Sequence, residues 1–346
     1  MSSNDSQPKL NAGRILVVRL GAMGDVIHAL PAAAALARAL PEAKVDWIIE
    51  PRWAALLEDN PYVESAVPFP LKAWRKRPFS AQSWGAAHRL IGELRSTRYD
   101  LVVDLQGLIK SACLARLTGC SWRVGFETAA LREAFAARFY TEHVVVSGEH
   151  VVDKNLSAVR RLVGNEDAAA EFPLPEGKYS AALPSGDFVL ATPVAGWGSK
   201  QWPGRHYAQL AGLIKEGLGM QLVLDCAPGD VGYVQEIARS APAESVAVHS
   251  STIPQLIGAT RRARAVVGVD SGPLHLAAAL NKTGVAVFGP TDPTRNGPYG
   301  GTLTVLRATT ASTSYQRDAN VSCAMSSISA AQVYRELCRR ISATRD

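Results

Sequence analysis

The chain alternates between short runs rich in β-branched residues and longer Ala/Leu-rich stretches with helical spacing, and this alternation constrains the fold more than any single motif. It is typical of parallel strands connected by crossover helices. We predict strands at residues 14–20, 44–49, 100–105 and 143–146, and again at 187–192, 221–225, 263–270 and 284–289. We predict helices at residues 30–40, 83–96 and 206–216, after Asp230, and at 328–342.

The alternation stops between residues 165 and 187, where Pro, Gly and acidic residues replace the periodic pattern. Such a stretch is typical of an interdomain linker, and 346 residues suffice for two domains that each bury a core. We therefore predict an α/β fold of two Rossmann-like, doubly wound domains facing a central cleft. The expected domains are 1–175 and 176–327, with a final helix in 328–346 that packs back toward the first domain. Ligands of such sheets bind beyond the carboxyl ends of the strands.

Composition argues against several classes of protein. The sequence has no run of about 18 apolar residues and its polar start lacks the pattern of a signal peptide, so a spanning or secreted protein is not expected. The five cysteines are odd in number and lack C-x-x-C spacing, which favours reduced thiols over disulfides or zinc ligands. The net charge of +6 allows a basic patch for an anionic partner but does not require nucleic acid.

The first predicted strand runs into the glycine-containing turn GAMGD at residues 21–25. Its spacing is G-x-x-G rather than the dinucleotide pattern G-x-G-x-x-G, and the carboxylate of Asp25 would repel a phosphate. Asp25 is therefore interpreted as facing a reacting hydroxyl. The alternative is that it only caps the following helix, where acidic residues are common.

The first strand of the second half ends in a glycine-rich loop at residues 191–203 that carries Lys200 between Trp197 and Trp202. A lysine is a compact cation suited to a phosphate oxygen. The alternative is an ordinary surface lysine in a turn. The position at the carboxyl end of a strand, beside two glycines, favours phosphate binding over this alternative.

The segment 266–300 carries the most specific pattern, because a strand ends in Asp270-Ser271-Gly272-Pro273 and a helix is expected from Leu274. The free N–H groups of such a helix start form an anion site of the kind a nucleotide diphosphate needs. His275 lies in the first turn of this helix, either as a ligand donor or as a satisfied polar residue. After the next strand, Thr291 and Asp292 are further polar candidates.

The segment LKAWRKRP at residues 71–78 holds four cations, Lys72, Arg75, Lys76 and Arg77, beside Trp74. It is either a solvated face or a patch for phosphates, carboxylates or an anionic membrane surface. Lys110, Arg123 and Arg132 are expected to extend it. The sequence has no P-loop, nucleophile elbow or H-E-x-x-H motif, and we predict no metal site.

Six motifs together resemble the lipopolysaccharide heptosyltransferases, in particular the heptosyltransferase I type. They are RLGAMGDVIHALPA, DLQGLIKSA, LREAFAARFY, SKQWP, GVDSGPLHLAAAL and FGPTDP, in the order of the family and over nearly the whole chain. The resemblance implies a glycosyltransferase B fold and an inverting reaction without metal or other cofactor. It also implies ADP-heptose as donor, the Kdo sugar of Kdo-lipid A as acceptor, and a location in the cytoplasm with contact to the inner membrane.

The resemblance also implies roles for individual residues. Asp25 matches the general base, Lys200 the lysine on the donor phosphates, and Asp270, Gly272 and His275 the heptose and diphosphate loop. The candidate donor-binding residues, all in the nucleotide-sugar domain, are Ala195, Gly196, Lys200, Asp270, Ser271, Gly272, Leu274, His275, Thr291 and Asp292. The candidate acceptor-binding residues, all in the acceptor domain, are Gly24, Lys72, Arg75, Lys76, Arg77, Lys110, Arg123 and Arg132.

Two departures from the family pattern concern the donor. Ala195 and Gly196 stand where type I enzymes usually carry a threonine pair, and the segment APGD at 227–230 lacks the glutamate expected for the ribose, which leaves Asp230 or Glu236 as substitutes. Three alternatives follow: a glycosyltransferase with another nucleotide sugar or acceptor, a nucleotide-sugar epimerase of similar fold, and a non-enzymatic nucleotide-binding module.

Overall fold

A computed structural model describes residues 12–76, 79–314, 318 and 320–343. The chain divides into two compact units, Met1–Leu174 and Pro175–Asp346. Each unit contains one six-stranded, all-parallel sheet. No helix within the described ranges is both long enough and apolar enough to cross a membrane.

The strands of the first unit pair in the order β3-β2-β1-β4-β5-β6. They are Arg14–Val18 (β1), Lys44–Ile49 (β2), Ser65–Pro68 (β3), Leu101–Asp104 (β4), Arg123–Phe126 (β5) and Glu142–Val144 (β6). The α-helices are Met23–Ala39 (α1), Leu71–Lys76 (α2), Ala81–Ser96 (α3), Ile109–Leu117 (α4) and Val151–Val163 (α5). Short 3₁₀ turns lie at Pro51–Leu57, Thr128–Ala130 and Ala134–Phe139.

The strands of the second unit pair in the order β12-β11-β10-β7-β8-β9. They are Phe188–Thr192 (β7), Gln221–Cys226 (β8), Val246–Ser250 (β9), Ala265–Val269 (β10), Gly284–Phe288 (β11) and Leu303–Arg307 (β12). The α-helices are Gly204–Leu218 (α6), Val231–Arg239 (α7), Ile253–Arg262 (α8), Gly272–Ala279 (α9), Pro293–Asn296 (α10), Cys323–Ser327 (α11) and Ala330–Ala343 (α12). Short 3₁₀ turns lie at Gly198–Lys200 and Pro228–Asp230.

Both sheets have the same strand order when the strands of each unit are counted from its own first strand. That order is 3-2-1-4-5-6, the order of the Rossmann fold, in which the strand order reverses beside the first strand. The prediction of two Rossmann-like doubly wound units is confirmed. The central strands β7, β10 and β11 are buried throughout, because helices cover both faces of a parallel sheet.

Helix α12 packs on the sheet of its own unit. Its apolar residues Val333, Leu337 and Ile341 recur at helical spacing and belong to the same buried cluster as the β7, β8 and β10 side chains. Ser329 caps the helix by accepting a hydrogen bond from the amide of Gln332 at 3.3 Å. The sequence also predicted that this helix packs back toward the first domain, and that part stays a prediction.

Several boundaries differ from those predicted. Helix α1 begins at Met23, directly after the glycine turn, and runs through Pro31, whereas the sequence predicted a start near Leu30 or a kink there. Strands β3, β5, β9 and β12 were not predicted, because each has only four or five residues and is not uniformly apolar. Three of these strands, β3, β9 and β12, lie at the edge of a sheet, where a strand buries less surface and carries a weaker hydrophobic signal.

Candidate functional site

Four of the predicted donor residues meet at the carboxyl end of the second sheet, and we call them the Asp270 cluster: Lys200, Asp270, His275 and Thr291. Asp270 follows β10, and Lys200 ends the 3₁₀ turn that follows β7, the strand paired with β10. His275 lies in the first turn of α9, and Thr291 lies in the loop after β11. The sheet order therefore brings together residues that are up to 91 positions apart in the sequence, from Lys200 to Thr291.

The carboxylate of Asp270 is the centre of the cluster. Its Oδ2 atom lies 2.6 Å from Lys200 Nζ and accepts a hydrogen bond from Thr291 Oγ1, also at 2.6 Å. Its Oδ1 atom lies 3.5 Å from His275 Nε2. The carboxylate is only 7% exposed, so these partners replace water around its charge.

The pKa of Asp270 is lower than that of an ordinary aspartate. Burial alone would raise it, but the hydrogen bond and charge of His275, together with those of Lys200, outweigh burial. The same contacts alter the expected role of Lys200. Instead of a free cation, it is an ion-paired one, 15% exposed, whose ammonium also lies 4.2 Å from the ring centroid of Trp197.

Helix α9 begins at Gly272, two residues earlier than predicted. The side chain of Leu274 is fully buried, and its amide donates to the Ser271 carbonyl at 3.1 Å, so Leu274 offers no group to a ligand. The first helical amide is that of Gly272, which has no acceptor within the helix. The structure thus favours the Gly272 amide over Leu274 as a group for the donor, and the role of Leu274 stays a prediction.

A glycine in β10 sets how closely α9 approaches the sheet. A Cβ atom on Gly268 would lie 3.0 Å from Cδ1 and 3.4 Å from Cβ of Leu274. The absent side chain lets Leu274 lie directly over the strand, which places the start of α9 next to Asp270.

Three hydroxyl groups in or near this edge are buried and have no hydrogen-bond partner among the described residues. They belong to Thr192 at the end of β7, Ser199 beside Lys200, and Ser271 before α9. Buried hydroxyls normally find a partner, so these are available to a ligand or to water. Only Ser271 was predicted from the sequence, because an isolated Ser or Thr in a loop gives no distinctive signal.

The other donor candidates differ in what they offer. Ala195 is half-buried against the core and Gly196 is exposed, with open space where its Cβ would lie. Asp292 caps α10 by accepting from the amide of Thr294 at 3.0 Å. Asp230 lies just beyond the carboxyl end of β8, whereas Glu236 is exposed and further along α7, so Asp230 is better placed for a ligand at this edge.

In the first unit, Asp25 lies in the first turn of α1, and two groups hold its carboxylate. Oδ2 accepts from the amide of Ala22 at 2.9 Å, and Oδ1 lies 2.9 Å from Nη2 of Arg19. The side chain is nevertheless 44% exposed. Asp25 thus caps its helix, as the alternative interpretation stated, and also presents a carboxylate to solvent at the carboxyl end of β1.

The turn before Asp25 depends on one glycine. Gly21 has a φ of +148°, and a Cβ atom there would lie 2.7 Å from Nε1 of Trp53. Only glycine adopts this backbone conformation readily and leaves room for the indole. Gly24, a candidate for acceptor binding, is buried within the first turn of α1.

The basic segment forms α2, which has two different faces. Leu71 and Trp74 pack against a buried cluster of the first unit, and Trp74 makes an edge-on contact with Phe69 at 5.2 Å between centroids. Lys72, Arg75 and Lys76 are exposed, while Arg77 lies outside the described residues. Two large aromatic residues that the sequence analysis did not single out follow closely: Phe79 is 96% exposed and Trp84 is 68% exposed.

The three cations expected to extend the basic segment separate into two groups. Lys110 and Arg132 are exposed. Their sequence neighbours Ile109 and Glu133 are hydrogen-bonded to each other, since the amide of Ile109 donates to the Glu133 carboxylate at 2.7 Å. Arg123 is half-buried and donates to the carbonyls of Phe139 and Cys120. These bonds tie the guanidinium of Arg123 to its own unit, which gives it a structural role.

Comparison with known sequences places the chain in a family. A family model described as glycosyltransferase family 9 (heptosyltransferase) matches residues 87–324. The chain is 33% identical over 303 residues to lipopolysaccharide heptosyltransferase 1 of Pseudomonas aeruginosa, covering 83% of this chain and 81% of the relative.

Comparison with solved structures extends the similarity to the fold. Escherichia coli heptosyltransferase WaaC with ADP superposes with a TM-score of 0.81 at 27% identity, covering 94% of this chain and 99% of that one. The same enzyme with ADP-2-deoxy-2-fluoro heptose gives 0.77 at 28% identity, covering 93% and 98%.

Proposed function

Because the chain belongs to glycosyltransferase family 9, the heptosyltransferases, we propose that it transfers heptose from ADP-heptose to the Kdo residue of Kdo-lipid A in lipopolysaccharide inner-core synthesis. The observation that carries the proposal is the similarity to heptosyltransferase 1 over 83% of the chain. The Asp270 cluster supports it, since it provides cationic and hydroxyl groups beside a helix start at the carboxyl edge of a Rossmann-like sheet. Family membership favours a transferase over the epimerase and the binding module.

In the proposed reaction Asp25 is the general base. It removes the proton from the acceptor hydroxyl as the oxygen attacks the anomeric carbon and the bond to the diphosphate breaks. A single displacement of this kind inverts the configuration at that carbon. The exposed carboxylate of Asp25 supports this role, because a base must reach the proton that it removes.

The second unit is proposed to bind the donor. As the glycosidic bond breaks, negative charge grows on the departing diphosphate and has to be stabilised. We assign this to Lys200, to the Gly272 amide at the start of α9, and to His275. The buried hydroxyls of Ser199 and Ser271 are proposed as further donors, which would compensate for the threonine pair that Ala195 and Gly196 replace. Asp230 is proposed to contact the ribose.

The first unit is proposed to bind the acceptor through the exposed cations of α2, with Lys110 and Arg132 as a second group. The acceptor carries phosphates and carboxylates, which arginine binds through paired hydrogen bonds. Phe79 and Trp84 favour contact with a bilayer as well, because exposed aromatics beside cations are typical of proteins on anionic membranes. We therefore propose a peripheral location on the cytoplasmic face of the inner membrane.

The acceptor assignment is testable by charge reversal. We expect Arg75→Glu to raise the KM for Kdo-lipid A about tenfold and to leave the KM for ADP-heptose unchanged, because only the acceptor would meet α2. Arg239→Glu, at the end of α7 in the second unit, is the matched control for an exposed arginine. An unchanged acceptor KM in Arg75→Glu would return the segment to a solvated face.

The function itself is tested by ADP release from ADP-heptose, with and without Kdo-lipid A and in the presence of a chelator. We expect release that depends on the acceptor and persists with the chelator. Mass spectrometry of the lipid should show the addition of one heptose. If neither release nor a heptosylated lipid is seen while UDP- or GDP-sugars support transfer, the proposed donor is wrong.

A further inference from the structure

Arg19 is the charged group most deeply buried beside the proposed base. It follows β1, and its side chain is 9% exposed against 44% for that of Asp25. One guanidinium nitrogen lies 2.9 Å from Asp25 Oδ1, and another donates to the carbonyl of Leu105. Its Nε atom is buried and has no partner among the described residues.

Such a residue is costly for the fold. A buried cation loses its hydration, and an apolar residue of similar size is often as stable or more stable in its place. Arg19 even leaves one polar atom unpaired, so packing alone does not explain the residue. Its one ionic partner among the described residues is Asp25.

The carbonyl that anchors Arg19 lies in a well-fixed loop. Asp104, at the end of β4, accepts from the amides of Gln106 at 2.8 Å and Gly107 at 3.2 Å. The side chain of Gln106 in turn accepts from the amide of Leu20 at 2.9 Å. The Leu20–Gln106 hydrogen bond thus joins the loop after β1 to the loop after β4, next to the Leu105 carbonyl. Arg19 is thus held at one end by a rigid loop and at the other by the Asp25 carboxylate.

We propose that Arg19 is a positioning residue for the transfer reaction, which fixes the rotamer of Asp25 so that its carboxylate faces the acceptor hydroxyl. This rests on the proposed function. Among the described residues, the Ala22 amide on Oδ2 is the other partner of that carboxylate, so without Arg19 nothing among them holds Oδ1. Arg19 itself neither accepts nor donates the proton, which passes from the acceptor hydroxyl to Asp25.

The test compares Arg19→Met with Arg19→Lys in the full-length protein. Misplacement of a reacting group by about 1 Å costs on the order of 100-fold in rate. We expect Arg19→Met to lower kcat about 100-fold, with the Kd for ADP-heptose, measured by calorimetry, within twofold of the wild type. A lysine restores a cation at this position, so we expect Arg19→Lys to recover at least about tenfold of the lost kcat.

A second comparison separates positioning from a general effect on the fold. Groups that act as a unit are not additive, so Arg19→Met should cause no further loss in an Asp25→Asn background. Arg160→Met is the matched control, because Arg160 also donates its guanidinium hydrogen bonds to a carbonyl of the first unit, that of Ala168. We expect this control to keep wild-type kcat.

Two results would overturn the proposal. One is a kcat within threefold of the wild type in Arg19→Met. The other is an equal further loss when Arg19→Met is added to Asp25→Asn, since a residue acting through Asp25 has nothing left to position. A wild-type protein without heptose transfer would instead overturn the proposed function, so the two failures are distinguishable.

Discussion

The two units have the same sheet order, but the carboxylate at the end of the fourth strand has a raised pKa in the first unit and a lowered pKa in the second. Asp104 ends β4 in the first unit, and Asp270 follows β10 in the second; both are buried. Burial raises the pKa of Asp104, and hydrogen bonds from Ser111, the Gln106 amide and Tyr140 only partly offset it. The pKa of Asp270 is lowered, because His275 and Lys200 outweigh the same effect of burial.

The difference lies in the charge of the partners. Asp104 is surrounded by neutral amides and hydroxyls, including that of Tyr140 at 2.8 Å, and it fixes a loop. Asp270 is surrounded by a lysine and a histidine and forms part of a polar cluster. The same topological position thus holds a loop-stabilising aspartate in the first unit and the central aspartate of a candidate site in the second. Strand order determines where a carboxylate lies, and its neighbours determine its charge and its use.

The loops after the first strand of each unit differ in a similar way. After β1, the acid is exposed and its arginine partner is buried. After β7, the cation is 15% exposed and pairs with a carboxylate from another strand. The first unit thus leaves a carboxylate exposed, whereas the second holds an ammonium in a largely buried ion pair, and the two groups fit the proposed roles of base and phosphate ligand.

Replacing Asp25 or Lys200 should have the largest effect on the reaction. We expect Asp25→Asn to lower kcat by a factor on the order of 10²–10⁴ with an unchanged Kd for ADP-heptose, because general base catalysis is lost. Lys200→Met should instead weaken ADP-heptose binding about 10- to 100-fold, the value of a hydrogen bond from a charged group. Steady-state kinetics and calorimetry measure both.

Controls for this pair exist in each unit. Asp153 also lies in the first turn of a helix of the first unit, and Lys215 is an exposed lysine of the second. Asp153→Asn and Lys215→Met should behave as the wild type. Equal loss of kcat and donor affinity in Asp25→Asn would contradict the division of roles.

A double-mutant cycle on Lys200 and Asp270 should give the next largest effect. Removal of one partner of a buried ion pair costs about 3–5 kcal/mol of unfolding free energy, because the other charge stays buried and unpaired. We expect Lys200→Met and Asp270→Asn together to cost about 1–3 kcal/mol less than the sum of the single variants, measured by urea denaturation.

The control pair has the same N···O distance but lies on the surface. Arg339 Nη1 and Glu336 Oε1 are 2.6 Å apart on α12, and the arginine side chain is 73% exposed. Its coupling should be below about 0.5 kcal/mol. Equal couplings in the two pairs would mean that burial does not strengthen the Lys200–Asp270 interaction.

Acid should affect the two buried aspartates in opposite directions. The lowered pKa of Asp270 contributes stability above the unfolded-state pKa, and this contribution is lost as the pH falls from that value through the lower folded-state pKa. The raised pKa of Asp104 contributes stability below the unfolded-state pKa, and this is lost as the pH rises toward the folded-state value.

From about pH 7 to about pH 3.5, the stability difference between wild type and Asp270→Asn should shrink by on the order of 1 kcal/mol. The difference for Asp104→Asn should grow. Urea midpoints measure both, and parallel trends would refute the contrast.

The smallest effect concerns the hydroxyls missing from the loop after β7. A threonine at Gly196 meets no atom within 4 Å of its Cβ, so Gly196→Thr should fold normally. We expect the KM for ADP-heptose to fall about two- to fivefold, which corresponds to one added hydrogen bond of about 0.5–1 kcal/mol. Gly186→Thr places the same side chain in open space before the start of the same strand and should leave the KM unchanged. An equal change in both variants would show that position 196 does not face the donor.

The sequence was sufficient for the architecture and for part of the site. Periodicity identified both doubly wound units, and the strand-to-helix turns pointed to Asp25, Lys200 and Asp270. It could not show that Lys200 and Asp270 pair, because that contact joins residues 70 positions apart through strand pairing. Arg19 was also missed, since an arginine at the end of an apolar strand looks like a solvated terminus. The start of α9 was placed at Leu274, two residues late, because Gly272 and Pro273 precede the apolar pattern.

The gap left by Gly268 has a consequence for how the second unit tolerates change. The absence of a side chain at position 268 sets how closely α9 approaches β10. A methyl group at position 268 would press on Leu274 and lift the first turn of α9, carrying the Gly272 amide and the His275 ring away from Asp270. A substitution at position 268 would thus weaken the binding of a ligand that the residue does not contact, without replacing any charged side chain of the site.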